Sequence, residues 1–261
     1  MDDFTSGVPD AMLRRLEQLC TEFAITAGRF IRDERPARVQ VESTKSSDTD
    51  VVTVMDQQSE AMLRRLIRRH RPDDGILGEE GADVAGTSGL TWVIDPIDGT
   101  VNYLYDIPAY AVSVAVVLGD ARVDGGWRPL AGAVADPCRR LVHHARRGGG
   151  AWTSEEDAAA AAGRDGPDGR DGRDGQDDAD TAGAEPVRLR VSAEDRLHRA
   201  LLATGFGYAA DVRTRQAEAL RRVLPAVRDI RRIGSAALDL VRVADGSVDA
   251  YAESGINAWD L

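Results

Sequence analysis

The chain has 261 residues, 43% hydrophobic and 30% charged, with 44 acids against 33 bases. That much apolar material can build a sizeable core and excludes a wholly disordered chain. A net charge of −11 argues against nucleic acid as the main partner. No run approaches the roughly 18 apolar residues of a membrane span, and Met1-Asp2-Asp3 opens without the basic-then-apolar pattern of a secretory signal. Cys20 and Cys138 make neither a metal spacing nor a disulfide framework. The expected setting is therefore cytoplasmic and reducing, with no membrane partner.

The first predicted element is an amphipathic helix. Leu13, Leu16, Cys20, Phe23, Ala27 and Phe30 recur at steps of three or four, with Ser6 or Asp10 to cap the start and Pro36 beyond the end. A polar loop follows, from Ser43 to Asp50, holding Lys45, the one lysine in a chain that otherwise uses arginine. Val51 to Val54 reads as a strand, and Asp56 opens a second amphipathic helix carrying Met62, Leu63, Leu66 and Ile67. Ile76-Leu77-Gly78 is a short buried strand ending at Glu79-Glu80-Gly81. Trp92-Val93-Ile94 is another, running directly into Asp95-Pro96-Ile97-Asp98-Gly99-Thr100. Strands are also expected from Ala111 to Leu118, Leu130 to Ala135, Leu141 to Ala145 and at Gly150 to Trp152. Strands and amphipathic helices mixed in this order indicate a layered α/β or α+β protein.

Residues 154–185 break the pattern with eleven acids, three arginines and six glycines, and no aromatic or branched apolar residue. Five consecutive Gly-x-Asp triplets holding one proline cannot sustain a collagen helix, so the stretch reads as a disordered acidic insert between two strands. It divides the chain into an N-terminal α+β layer, residues 1–153, and a C-terminal α/β layer, residues 186–261. In the second, Val187 to Val191, Ile230 to Ile233 and Val248 to Glu253 read as strands. Residues 212–224 and the stretch from Gly234-Ser235 to Ala244 read as helices.

The chemistry concentrates in carboxylates. Glu79 and Glu80 end one apolar strand, and Asp95 and Asp98 end another, 15 residues after Glu80. Strand ends are where α/β proteins gather their sites, and hard cations such as Mg²⁺ take oxygen ligands. Gly99 lets the backbone approach an anion, and N–H groups at Gly99 and Thr100 suit a phosphate. Phosphatases with an aspartyl nucleophile carry Asp-x-Asp, which this Asp-x-x-Asp is not. His143 and His144 lie on a strand outside these motifs and read as structural or exposed.

Together, Asp50-Val51-Val52-Thr53, Gly78-Glu79-Glu80, the run from Trp92 to Tyr103 and the closing Trp259-Asp260 resemble the inositol monophosphatase family. These are Mg²⁺-dependent, lithium-sensitive phosphatases, and the resemblance covers roughly residues 10–153 and 187–261. It implies a layered αβαβα sandwich of the sugar-phosphatase type binding two or three Mg²⁺ ions. By the same resemblance Glu79 binds the first metal and helps hold a water, and Asp95 bridges two metals. Ile97 gives its carbonyl to the first metal, and Asp98 and Asp260 hold the second. Thr100 orients the attacking water with Asp50 behind it, and Lys45 sits on a mobile loop that closes the site. Asp98, Gly99, Thr100, Gly234, Ser235, Ala236, Glu253 and Asp260 line the place of the substrate.

Two departures stand out. The acidic insert falls where relatives have a short hairpin turn, and the chain stops one residue after Asp260, where relatives continue with a helix and strands. The expectation is a fold truncated at its C-terminus, with Asp260 frayed, second-metal binding weakened and stability low. The expected activity is Mg²⁺-dependent hydrolysis of a small polyol phosphate, foremost myo-inositol 1-phosphate. Histidinol phosphate is the near alternative, and nucleotide 3′-phosphates and fructose 1,6-bisphosphate are more distant ones. A different class is a catalytically weak or inactive interaction protein on the same fold. Relatives are typically dimers, which extends to a homodimer here.

Overall fold

The computed structural model describes residues 7–45, 51–123, 125–162 and 184–260. The first helix, α1 (Asp10–Asp33), turns Leu16, Leu19, Cys20, Phe23, Ala27 and Ile31 inward, as the spacing predicts. A short hairpin of β1 (Val41–Thr44) and β2 (Val51–Thr53) leads into α2 (Val54–His70). This helix starts two residues before Asp56 because Thr53 and Asp56 form a capping box. The Thr53 hydroxyl accepts from the Asp56 N–H, and the Asp56 carboxylate accepts from the Thr53 N–H.

Next come β3 (Gly75–Gly78), β4 (Leu90–Asp98), the single-turn helix α3 (Thr100–Leu104), β5 (Ala111–Gly119), β6 (Trp127–Asp136), β7 (Leu141–Arg146) and β8 (Gly150–Glu155). Helix α4 (Glu156–Ala162) and β9 (Val187–Arg188) follow. Strands β3 to β9 form one seven-stranded sheet in chain order, parallel only between β3 and β4. Helices α1 and α2 cover one face, where Phe23 packs against Trp92 with ring centroids 5.4 Å apart.

The second unit holds β10 (Leu201–Ala203), α5 (Ala210–Val223), β11 (Asp229–Arg231), α6 (Ala236–Ala244) and β12 (Ala250–Tyr251). Its strands make a parallel sheet in the order β11-β10-β12. A 3-10 turn, Ala258–Asp260, follows.

Three expectations change. Residues 154–162 are ordered: Ser154 and Glu155 end β8, and Glu156, at the start of α4, takes hydrogen bonds from Arg29 and Arg32 of α1. The expected disorder across 163–183 lies outside the described residues. The boundary at 186 does not separate the layers, because β9 pairs antiparallel with β8 and belongs to the N-terminal sheet. The fraying expected at Asp260 is not found. Trp259 and Ala258 pack on Leu77, Val93, Val117 and Ala121, on the sheet face opposite α1 and α2.

Candidate active site

Residues three apart on a regular strand point to opposite faces. Strand β4 escapes this rule through a bulge. Asp95 pairs with Ser113 and Asp98 with Ala111, so β4 spends one more residue than β5 between those pairs. The extra residue returns Ile97 to the helical core, where it is fully buried, and sets Asp98 on the same face as Asp95. The Asp95 carboxylate accepts the Ile97 N–H at 3.0 Å and holds the turn from inside.

That face meets the 3-10 turn carrying Asp260. One carboxylate oxygen each from Asp95, Asp98 and Asp260 lies within 4.8 Å of the other two. Glu79, at the end of β3, comes within hydrogen-bonding reach of Asp95. Burial raises the Asp95 carboxyl well above its usual range, and the charges of Glu79, Asp98 and Asp260 add to the rise. Burial raises Asp98 to about 7 and also raises Glu79 and Asp260. Lys45 answers part of this charge, with Nζ 2.7 Å from Glu79 and 2.5 Å from Glu80. Burial opposes the charge on its ammonium, but the two carboxylates outweigh burial and keep it protonated. A group of buried and half-buried acids that repel one another, all offering oxygen, fits a hard divalent cation.

Gly99 turns the chain from β4 into α3 at φ 92°, and a Cβ there would come 3.0 Å from the carbonyls of both Ala109 and Gly234. This close approach brings the Gly234-Ser235-Ala236 segment against the end of β4. Asn102 fastens it, donating from Nδ2 to the carbonyls of Ala109 and Ile233 at 2.6 and 2.9 Å. Asp98 crosses to the start of α6, accepting from Ser235 Oγ at 2.5 Å and from the N–H groups of Ala236 and Ala237 at 3.2 and 2.7 Å. Ser235 also caps α6 by accepting the Leu238 N–H. Its hydroxyl is therefore engaged within the protein, as are its own carbonyl, which accepts the Asp239 N–H at 3.0 Å, and the Ala236 N–H.

Glu253 follows β12 and accepts from the Tyr251 hydroxyl at 2.6 Å. A Cβ on Gly205 would lie 2.0 Å from its Oε2, so a larger residue there would push this carboxylate aside. Burial raises Glu253, and Asp260 contributes to the rise. Beside α3, a pocket of about 560 Å³ is lined by Val51, Val101, Leu104, Phe206, Arg213 and Arg232, among others. None of the clustered acids lines it.

Asp50, expected behind Thr100, lies outside the described residues. Among the described residues the carboxylate on Thr100 is Asp56. Thr100 Oγ1 is 3.0 Å from Asp56 Oδ1 and 2.9 Å from the Ile97 carbonyl. Asp56 holds the third position of α2, so its side chain turns back over the helix start, with one oxygen toward Thr53 and the other toward Thr100. Burial raises it to about 6. The spacing Thr53-x-x-Asp56 marks a capping box in the sequence, but it says nothing of the contact with Thr100.

The chain matches the model of the inositol monophosphatase family over residues 12–261. The chain belongs to the inositol monophosphatase family. Membership makes it a phosphatase. A relative from Mycobacterium tuberculosis, inositol-1-monophosphatase SuhB, is 42% identical over 97% of this chain and 80% of its own length. The solved structure of M. tuberculosis SuhB superposes with a TM-score of 0.70 at 41% identity, covering 95% of this chain and 80% of that one. A Haemophilus influenzae protein named Nus factor SuhB is 34% identical over 90% of this chain and 74% of its own. The family's fold is thus the layered α/β sandwich described above. Among the described residues no helix is long and apolar enough to cross a membrane.

Proposed function

We propose that this family member hydrolyses the phosphomonoester of a small polyol, foremost myo-inositol 1-phosphate, using Mg²⁺ held by Glu79, Asp95, the Ile97 carbonyl, Asp98 and Asp260. One observation carries the reading. The acids converge on one face of the sheet, beside a threonine hydroxyl held by a buried carboxylate. Bound there, Mg²⁺ would supply Lewis-acid charge that polarises the phosphoryl oxygens, acidifies a water and stabilises the departing alkoxide.

The protein's part is to place and deprotonate the water. Thr100 has one proton and two acceptors, and the carboxylate of Asp56 is the stronger. Donating to Asp56 leaves the Thr100 oxygen free to accept from a water, while Glu79 accepts the second proton of that water. As the water oxygen attacks phosphorus, its proton passes to Thr100 and the threonine proton to Asp56. The ester P–O bond breaks with its electron pair left on the departing oxygen, and a solvent water protonates that alkoxide to release the polyol and inorganic phosphate. Gly99 and the first N–H groups of α3 are positioned for phosphate oxygens. Glu253 and the main chain at Gly234 would take the hydroxyls of the leaving group.

The H. influenzae relative is named Nus factor SuhB and not a phosphatase, which supports as second reading a catalytically weak interaction protein on the same fold. Phosphate release from a panel containing myo-inositol 1-phosphate, histidinol phosphate and fructose 1,6-bisphosphate, with and without Mg²⁺, separates the two. The phosphatase reading expects Mg²⁺-dependent release, fastest from the inositol ester. No release from any member favours the binding role.

A further inference from the structure

Helix α2 touches the site at three consecutive places along one buried face. Asp56, Ser59 and Glu60 lie there, with exposures of 0, 0 and 2%. Asp56 holds Thr100, and Ser59 Oγ donates to the Pro96 carbonyl at 3.2 Å, inside the bulge between Asp95 and Asp98. Glu60 reaches the third place. Its Oε2 accepts the Glu80 N–H at 2.7 Å, and its Oε1 accepts the Gly81 N–H at 2.7 Å. Arg64 donates to Oε1 at 2.7 Å and to the Ala82 carbonyl at 2.9 Å.

The fit around this carboxylate is close. A Cβ on Gly78 or Gly81 would sit 2.8 or 2.7 Å from it, so glycine at both positions lets the loop wrap the carboxylate. Glu79 lies between those glycines, and Glu60 holds the two N–H groups that follow it. Fixing that backbone fixes the direction in which the Glu79 side chain leaves the chain.

We propose that Glu60 is a positioning residue for metal binding: by clamping the Glu80 and Gly81 N–H groups it aims the Glu79 carboxylate at Asp95, in register with the Thr100 that the same helix holds. This rests on the reading of Glu79 as a ligand given under Proposed function. A merely structural Glu60 would lower stability and leave the site of the folded molecule unchanged. A positioning Glu60 governs metal affinity in molecules that are fully folded.

The test is calorimetric titration of Mg²⁺ into the full chain as wild type, Glu60→Gln and Glu60→Asp, with circular dichroism to confirm folding and steady-state phosphate release alongside. Gln puts an amide N–H₂ where one of the two N–H groups needs an acceptor, and Asp keeps the charge but is a methylene short. The expected result is a loss of Mg²⁺ affinity of about tenfold or more in Glu60→Gln and a smaller loss in Glu60→Asp. The Mg²⁺ concentration for half-maximal activity should rise in parallel, KM for the ester should stay nearly unchanged, and excess Mg²⁺ should restore part of kcat. Wild-type Mg²⁺ affinity in a folded Glu60→Gln overturns the proposal, as does a change confined to melting temperature. If Glu60→Gln does not fold, Glu60→Asp is judged by the same criteria, and failure of both to fold makes Glu60 structural and ends the proposal. A wild type that binds no Mg²⁺ overturns the ligand reading itself, and this inference with it.

Discussion

At Thr100 a single hydroxyl proton faces two acceptors, and the choice between them sets the chemistry. Removing the hydroxyl in Thr100→Val, or the stronger acceptor in Asp56→Asn, should lower kcat by about a hundredfold or more. Mg²⁺ affinity should change little, because neither residue belongs to the cluster of Asp95, Asp98 and Asp260. Steady-state phosphate release with calorimetry checks both halves, and an unchanged kcat in either variant would remove the pair from the mechanism. Asp95 and Asp98 are legible in the sequence because an apolar strand runs straight into them and nothing local explains two carboxylates there. Asp56 is hidden for the opposite reason. Its capping role accounts for it locally, and the contact that matters joins residues 44 positions apart. Ser235 reads as a substrate contact by its place in a motif, yet its hydroxyl is bonded to Asp98.

Between elements, α1 is locked to β7 by charge as well as by packing. Glu17 on α1 accepts from Arg146 at 2.7 Å and lies 2.8 Å from His144 Nδ1. Burial opposes the charge on Glu17, but the bonds from His144 and Arg146 outweigh it and hold the carboxyl below its ordinary range. Glu17→Ala takes the nearer carboxylate from Arg146, leaves it the longer contact with Asp10 at 3.6 Å, and should cost about 1 kcal/mol. That is roughly 2–4 °C in melting temperature for a domain of this size. The neighbouring His143 is buried on β7, and desolvation lowers it from 6.5 to about 4. The unfolded chain therefore takes up this proton before the folded one does. Stability is lost as pH falls from 6.5 towards 4, by up to about 3 kcal/mol. With Mg²⁺ present, thermal melts of wild type and His143→Gln should diverge in favour of the variant as pH drops from 7 to 4.5. A difference independent of pH would contradict this. The periodicity of α1 shows its buried face, but residues 156–162 read as part of a featureless acidic stretch. Their counter-charges, Arg29 and Arg32, lie more than a hundred positions away in the sequence, where no local pattern points to them.

Across the whole molecule, the net charge of −11 describes two different things. Most of it belongs to residues 154–185, with eleven acids and three arginines. A small part is the buried set around Asp95, where the charges repel one another and a cation would relieve the repulsion. Mg²⁺ at a hundred times its Kd should therefore stabilise the fold by about 2.7 kcal/mol. That is roughly 5–10 °C in melting temperature. Coincident melts in Mg²⁺ and in chelator would count against the cluster as a metal site. The layered fold is legible in the order of strands and helices, but the boundary between its sheets is not. Strand β9 joins the N-terminal sheet across the insert through main-chain bonds that leave no mark on composition. The central claim, a metal-dependent phosphomonoesterase built on Asp95, is tested most directly by phosphate release from myo-inositol 1-phosphate at increasing Mg²⁺, wild type against Asp95→Asn. Release should require Mg²⁺ and fall at least about a hundredfold in the folded variant. Release that is the same without Mg²⁺, or that survives the substitution, would contradict it.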